Sequence, residues 1–526
     1  MSLLSEVTAI QQELPSVITR DRQVVSRESI RTCLVLTILL GLTYASTIFL
    51  PYALNDENWI IRASNWWARL DVRQGRPLFS IVIFLTSKLR DGVGAMVIPL
   101  LRAGAIVGIA IAMTMIARWM ERWHCSRASS VLVVLTVASL PPYQVYVADA
   151  TWIVLPFLAA ITATITLSSA YDRMGEPDSK LRSYGAAAGL MFFSLAFYQP
   201  AVLISVGLQI VPVLTVDVRD STSVRARVKF VAFVIAFVAI VTLVYYLTWL
   251  YLWRLLESTT GAAYYSPFAV NRHPFKRLVY FFSDRLLQVL NLWYVDALRP
   301  TPYAAVMASA ILVGGAADFL RTRGNSAGRG SARNWLLKYG CVVAILIASD
   351  AIPLMAAAPI PSYVTAPALA FVVTFWALQS VFRLSPDGLG IIREPTIYLL
   401  GVGVFGLFMA EYTTLTYFSV PVSLEYGLIK GEVVEFLKTH QAVHHVHVVG
   451  RKTPLLNHGL HEFGWSNATF DVYARDMVKN VLDDVGVPAD IDVTASGTLA
   501  TALAPAQVPQ PEEALVIDLS RIHVVR

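Results

Sequence analysis

Between Thr32 and Tyr412 the sequence offers one apolar run after another, and few of them carry a charge near the middle. A helix needs about 20 apolar residues to cross the hydrocarbon of a bilayer. Inside it, each backbone polar group must find its partner within the protein. A chain patterned in this way folds as a bundle of membrane helices. Composition agrees: 56% of the 526 residues are hydrophobic and only 15% charged, with a mean hydropathy of +0.57, whereas soluble globular chains carry about 25% charge. These values exclude a disordered chain, a secreted disulfide scaffold and an ordinary soluble enzyme. The three cysteines, Cys33, Cys125 and Cys341, are scattered and do not form a disulfide framework.

Thr32–Leu54 reads as the first span. Pro77–Ser87 is too short to cross and reads as a helix lying in the interface. Further spans are expected near 93–117, 128–147, 151–170, 184–197, 201–215, 230–254, 302–320, 339–358, 363–382 and 395–412, about eleven in all. Pro200 divides the stretch 184–215 into two short helices of a hairpin. Lysines and arginines of the short loops set the orientation. With the N-terminal segment inside, Arg118, Arg122, Arg127, Arg173, Lys180, Arg182, Arg219, Arg225, Arg227 and Lys229 all fall inside as well. The net charge of +6 is then a topology signal, and no nucleic-acid partner is needed.

Three divisions follow: a cytoplasmic segment 1–31, a transmembrane domain 32–412 with its first outer loop at 55–92, and an outer tail 413–526. In the tail charge returns. Gly431–His440 reads as a helix, His444–Val449 as a strand, Phe470–Val485 as a helix stopping at Gly486, and Ile491–Val493 and Ala514–Leu519 as short strands. The expected fold class is an α-helical polytopic membrane protein with a small C-terminal α/β domain outside.

The chemistry concentrates outside. The first outer loop holds the acidic pair Asp56 and Glu57 beside Asn58 and Trp59, then Arg62, Trp66, Trp67, Arg69, Asp71, Arg73, and Gly75-Arg76-Pro77-Leu78. An aromatic and arginine belt explains the tryptophans. It leaves the acidic pair unexplained, because ionised groups at a membrane edge are costly unless used or paired. A transferase that takes sugar from a lipid-phosphate carrier needs a carboxylate to deprotonate an acceptor hydroxyl. It also needs arginines to hold the leaving phosphate. This loop supplies both. Tyr143 and Asp149 lie in a second outer turn, where Asp149 is either a second acid or the cap of the next helix. Tyr198 and Gln199 form a third, and Arg272, His273 and Lys276 place further cations outside. Donor phosphate is expected on Arg62, Arg76, Arg272 and Lys276, and substrate on Trp59, Tyr143, Asp149, Tyr198, Gln199 and His273. Asp56, Glu57 and Asp149 can together hold a divalent cation, and an arginine-based site needs none.

Asp56 with Arg62, then Gly75-Arg76-Pro77-Leu78, then Phe197-Tyr198-Gln199-Pro200, resembles the bacterial GtrII glucosyltransferase family of O-antigen modification. The resemblance extends over most of the chain and implies a membrane glycosyltransferase of the GT-C class in the bacterial inner membrane, with the outer side periplasmic. It implies a polyprenyl-phosphate-linked sugar as donor, undecaprenyl phosphate as carrier, and a surface glycan such as the O-antigen of lipopolysaccharide as acceptor. It also makes Asp56 the catalytic base. The family often has two aspartates where this chain has Asp56-Glu57, so the base is one of these two. The other readings are the same chemistry with another sugar onto a protein acceptor, and a lipid-linked-sugar flippase. Midspan charge is nearly confined to Arg102, which disfavours a transport path.

Two motifs are discounted. Gly401-Val402-Gly403-Val404-Phe405-Gly406 matches G-x-G-x-x-G but lies inside the last span, where close helix packing explains it. His445 and His447 share a strand face without the cysteine or acid that would complete a metal set.

Overall fold

The structure, a computed structural model, describes residues 27–50, 76–149, 151–172, 177–260, 274–295, 299–324, 328–355, 362–382, 394–439, 445–450, 471–487, 491–496 and 515–519. The chain begins with α1 (Arg27–Thr43) and α2 (Ala45–Phe49), then α3 (Pro77–Val93) and α4 (Val97–Arg122). Next come α5 (Arg127–Ala138), α6 (Pro141–Ala148), α7 (Val154–Asp172) and α8 (Pro177–Phe197). After the short α9 (Ile204–Gly207) and α10 (Ile210–Thr215) runs the 40-residue α11 (Ser221–Thr260). α12 (Pro274–Tyr280), α13 (Leu286–Leu290), α14 (Pro302–Gly324), α15 (Gly328–Ala348), α16 (Ala351–Met355) and α17 (Pro367–Phe382) follow. The last long helices are α18 (Pro395–Thr414) and α19 (Val420–Thr439). A parallel sheet closes the described chain: β1 (His445–Val449), α20 (Asp471–Asp484), β2 (Asp492–Ser496) and β3 (Leu515–Asp518).

Among the described residues, five helices are long and apolar enough to cross a membrane: Val97–Arg122, Thr151–Tyr171, Ser221–Leu255, Pro302–Leu320 and Pro395–Lys438. The bent pair α5 and α6 makes a sixth if taken as one span. α3 spans 17 residues with Pro77 at its first position, and it exposes Ile81, Phe84, Leu85 and Leu89.

Contacts between the helices define two ends of the bundle. At one end Glu28 meets Arg127 at 2.9 Å and Arg118 at 3.8 Å. Arg122 donates to Ser169 there. Lys338 and Asn334 donate to the carbonyls of Val216 and Val218, and Lys338 pairs with Asp318 at 2.9 Å, both buried. Arginines and lysines crowd this end. The opposite end holds the start of α3, the described residues between α6 and α7, the turn after α8, and α12 with α16, which touches that turn. The described parts of these segments meet through Arg76 with Gln199 and Phe79 with Trp152, away from the basic end.

The eleven expected spans are not all single helices: 32–54 divides between α1 and α2, 201–215 among a 3₁₀ turn, α9 and α10, and 339–358 between α15 and α16. The stretch 128–147 breaks by 63° between α5 and α6. Pro141 and Pro142 have no N–H, so the carbonyls one turn earlier lose their helical partners. The Val137 carbonyl accepts from the Leu140 N–H at 3.1 Å and the Ala138 carbonyl from Tyr44 at 2.8 Å. At the bend the Tyr143 N–H turns to the Leu140 carbonyl, and Gln144 and Trp293 donate to the Ser139 carbonyl it leaves, at 2.8 and 3.0 Å. Gln144 in turn accepts from Thr413 at 2.6 Å. A second difference lies at 412, the expected end of the last span. There α18 continues through a π-turn at Leu415–Ser419 into α19, because Val420 to Lys438 keeps a helical run of apolar residues.

The glycine triplet of α18 divides by its surroundings. A Cβ on Gly406 would lie 2.5 Å from Ser139 Oγ and 2.7 Å from a ring carbon of Trp293, and one on Gly403 would touch Leu135 at 3.5 Å. A Cβ on Gly401 meets nothing within 4 Å. Gly406→Ala is therefore expected to destabilise the bundle by about 1–3 kcal/mol. Gly401→Ala should leave thermal unfolding in detergent unchanged or slightly improved. Equal melting of the two variants would count against this packing.

The sheet is parallel throughout, in the order β2-β1-β3. Val446, Val448, Val493, Leu515 and Ile517 are buried, and Gly486, at φ +77°, turns the chain just beyond α20. The opposite face carries a hydrogen-bonded chain. Asp492 pairs with His445 Nδ1 at 3.0 Å, and Thr494 bridges His445 Nε2 and His447 Nδ1 at 3.1 and 2.8 Å. His447 Nε2 meets Ser496 at 2.8 Å. The two histidines thus serve each other's bridging hydroxyl. Burial, then the neighbouring His445, hold the His447 pKa below its usual value. The unfolded chain therefore binds the proton more readily. The contribution of this group is intact above pH ~6.5 and is lost as pH falls further. Backbone exchange in β1 and β2, corrected for its intrinsic pH dependence, is expected to rise on acidification in the native protein and to stay flat in His447→Gln.

At its far end α3 reaches this region, where Arg90 pairs with Asp483 of α20.

Candidate functional site

Arg76 stands just before α3, in non-helical backbone (φ −127°, ψ 58°), and Pro77 starts the helix behind it. Its Nε donates to Gln199 Oε1 at 3.2 Å. Its guanidinium carbon lies 5.1 Å from the centre of the Tyr198 ring. Tyr198 is extended (φ −156°, ψ 104°) and leads into a 3₁₀ turn over Gln199–Leu203, with Pro200 near its start. Tyr198 and Gln199 are both buried. One turn along α3, Phe79 packs on Trp152 at 5.1 Å and Phe197 at 6.2 Å. Trp152 is three residues beyond Asp149, which is itself buried at the end of α6.

Three segments far apart in the chain therefore meet: the start of α3 at Arg76-Pro77-Leu78, the Tyr-Gln turn, and the turn at Trp152. Arg76 is balanced by a ring face and an amide oxygen, both neutral. Among the described residues no carboxylate pairs with it. A guanidinium has five N–H donors, and Gln199 takes one.

Two expected residues stand elsewhere. Tyr143 is fully buried, and its hydroxyl donates to the Pro367 carbonyl at 3.2 Å. Its ring sits edge-on to Tyr146 and Phe157. The bend at Pro141 turns this side chain inward, where it ties α6 to the start of α17 and does not join the Arg76 group. Lys276 is exposed on α12, while its neighbour Arg277 is buried. Asp56, Glu57, Trp59, Arg62, Arg272 and His273 lie outside the described residues, so of the acids expected to hold a divalent cation only Asp149 is described. Among the described residues no three His, Cys, Asp or Glu side chains are grouped to hold a metal.

Beside this site is a group that sequence reasoning missed. Arg285 and Asp350 form a fully buried two-pronged ion pair at 2.6 and 3.0 Å. Arg285 also donates to Gln288 Oε1, the Ser362 carbonyl and Thr365 Oγ1 at 2.8–3.0 Å. All five of its donors are used. It fastens the π-turn Phe281–Arg285, the turn after α15 and the segment before α17 to one another. α12 touches α16, and α16 touches the Gln199–Leu203 turn, so this hub backs the Tyr-Gln turn. The available signal was an ionisable residue in an otherwise apolar stretch, and Asp350 fits it.

No family model matches the sequence, and no curated protein matches it. Among solved structures, the chain is similar to the arabinofuranosyltransferase AftD from Mycobacteria, at 14% identity and a TM-score of 0.40 over 84% of this chain and 32% of that one. The chain thus spans about a third of the length of AftD. A likeness this loose fixes neither the family nor the chemistry.

Proposed function

We propose that the protein is a membrane glycosyltransferase of the GT-C type, resembling GtrII. It moves a hexosyl group, glucose by that resemblance, from a polyprenyl-phosphate donor to a surface glycan such as O-antigen. The observation that carries this reading is Arg76: a cation with no carboxylate partner among the described residues, fixed between Gln199 and Tyr198 at the end of the bundle opposite the basic loops. A phosphate is the partner that such a fork recognises.

In this reading the protein crosses the bacterial inner membrane about eleven times, with segment 1–31 cytoplasmic and the Arg76 end periplasmic. Residues 413–526 then contribute a periplasmic α/β domain. The carrier lipid lies among the helices and its phosphate rests on Arg76. The acceptor hydroxyl oxygen attacks the anomeric carbon and gives its proton to Asp56 or Glu57. The bond from that carbon to the phosphate oxygen breaks, and its electron pair leaves with the carrier phosphate. Arg76 stabilises the growing phosphate charge.

The test is incubation of the purified full chain in detergent with glucosyl, galactosyl and mannosyl undecaprenyl phosphates and a surface-glycan acceptor, with bare carrier measured by mass. Release of carrier with sugar on the acceptor is expected. Loss of turnover in Asp56→Asn but not in Glu57→Gln, or the reverse, identifies the base. Intact donor in every reaction would overturn the reading, and intact donor carried across vesicle membranes would replace it with a flippase.

A further inference from the structure

Toward the same end of the bundle, α11 presents Tyr245, Trp249 and Trp253 at intervals of four residues. All three are buried, at 6%, 6% and 4% exposure. They form one stripe on a helix whose other faces are open: Leu243, Leu247 and Tyr251 are 56%, 53% and 65% exposed. Tyr245 packs edge-on against Phe192 at 4.9 Å, and the indoles of Trp249 and Trp253 lie 6.4 Å apart. Phe192 lies five residues before Phe197 at the end of α8, so Tyr245 packs about a turn and a half from the Tyr198 turn that carries Arg76. Side chains on a helix lean toward its N-terminus, so Trp249 covers the turn that carries Tyr245.

Core packing alone explains the rings. It does not explain the Trp249 indole N–H, which is buried with no acceptor among the described residues. A buried donor left without a partner is costly and uncommon. Phenylalanine would fill a purely apolar position without that cost. A ligand that offers an apolar ring face with hydroxyls at its edge suits both properties, and a sugar ring has that character.

Resting on the transferase reading above, we propose that Tyr245 and Trp249 form the wall that holds the donor's sugar ring. The Trp249 N–H donates to a sugar hydroxyl, while Arg76 holds the phosphate. The stripe then selects the sugar-loaded carrier over the empty one, which favours loading of donor and release of product.

Binding tests this without needing the acceptor. The purified full chain is titrated with the three hexosyl undecaprenyl phosphates and with bare undecaprenyl phosphate, following thermal stabilisation. The native protein is expected to prefer at least one loaded carrier. Trp249→Phe, which keeps the ring and removes the donor, should weaken that carrier by about five- to tenfold and leave the bare carrier unchanged. Tyr251→Phe, on the open face, should match the native protein. Equal affinity of the native protein for loaded and bare carriers would overturn the assignment. So would full preference in Trp249→Phe, or equal weakening of both carriers. Preference without transfer to any acceptor would remove the enzyme and leave the sugar wall standing. The thermal midpoint without lipid shows whether Trp249→Phe folds. If it does not, Trp249→His, which restores a ring N–H, must recover both folding and preference.

Discussion

Arg76→Ala is expected to lower sugar transfer by about 10²–10³-fold, while the protein still inserts and melts near the native temperature. The reason lies in what Arg76 touches. Its described partners are the Gln199 oxygen and the Tyr198 ring, so its removal leaves none of the described carboxylates without a counterion. A structural loss is therefore small, and a loss of phosphate binding is not. Arg76→Lys should recover part of the rate, because an ammonium supplies charge but cannot keep the Gln199 bond and present a two-pronged face to phosphate. Gln199→Leu should cost less, since the guanidinium keeps its charge and its place over Tyr198. The measurement is bare carrier released per unit time, with the melting curve of each variant. Native activity in Arg76→Ala would remove this residue from the site and the main support for the proposed chemistry.

Asp350→Ala is expected to have the largest effect on stability, a loss of about 3–5 kcal/mol. The substitution leaves Arg285, which is fully buried, as an ion without its counter-ion. The pair cannot simply be exchanged for apolar residues. Arg285→Met with Asp350→Leu removes both charges, yet the Ser362 carbonyl, Thr365 and Gln288 lose the donors that Arg285 gave them, each at about 1 kcal/mol. The double variant should fall between the native protein and Asp350→Ala. Lys276→Ala, at an exposed position nearby, should stay within about 0.5 kcal/mol. Thermal unfolding in detergent reads all three. An Asp350→Ala protein that melts like the native one would show that the pair does not hold this end together.

Much of the helical pattern was readable because it is local. Apolar run length marks long helices, Pro77 and Pro177 stand at helix starts, and Pro200 sits in the turn after α8. In the tail, β-branched alternation marked β1, and Gly486 marked the stop after α20. The division at Pro141 was missed because apolar content alone runs through it, although two adjacent prolines carry a clear backbone penalty. The continuation past 412 is not legible because returning charge reads as the end of a span, and charge does not break a helix.

The candidate site divides in the same way. Arg76, Asp149, Tyr198 and Gln199 were each marked by polar character at an apolar edge. Tyr143 carried the same mark and is a core tether instead, because a tyrosine hydroxyl serves a backbone carbonyl as readily as a ligand. Arg285 and Asp350 are 65 residues apart, and neither shows its partner in the sequence around it.

The amino-acid order by itself determined a membrane helix bundle, its basic loops and a small set of polar turns, since hydropathy, proline and charge act within one or two helical turns. Only the tertiary structure decided that Arg76 lies against Gln199, 123 residues away, and that Asp350 meets Arg285 and Tyr143 is closed inside. Such pairings depend on which helix faces meet, and that is fixed by the packing of the whole bundle.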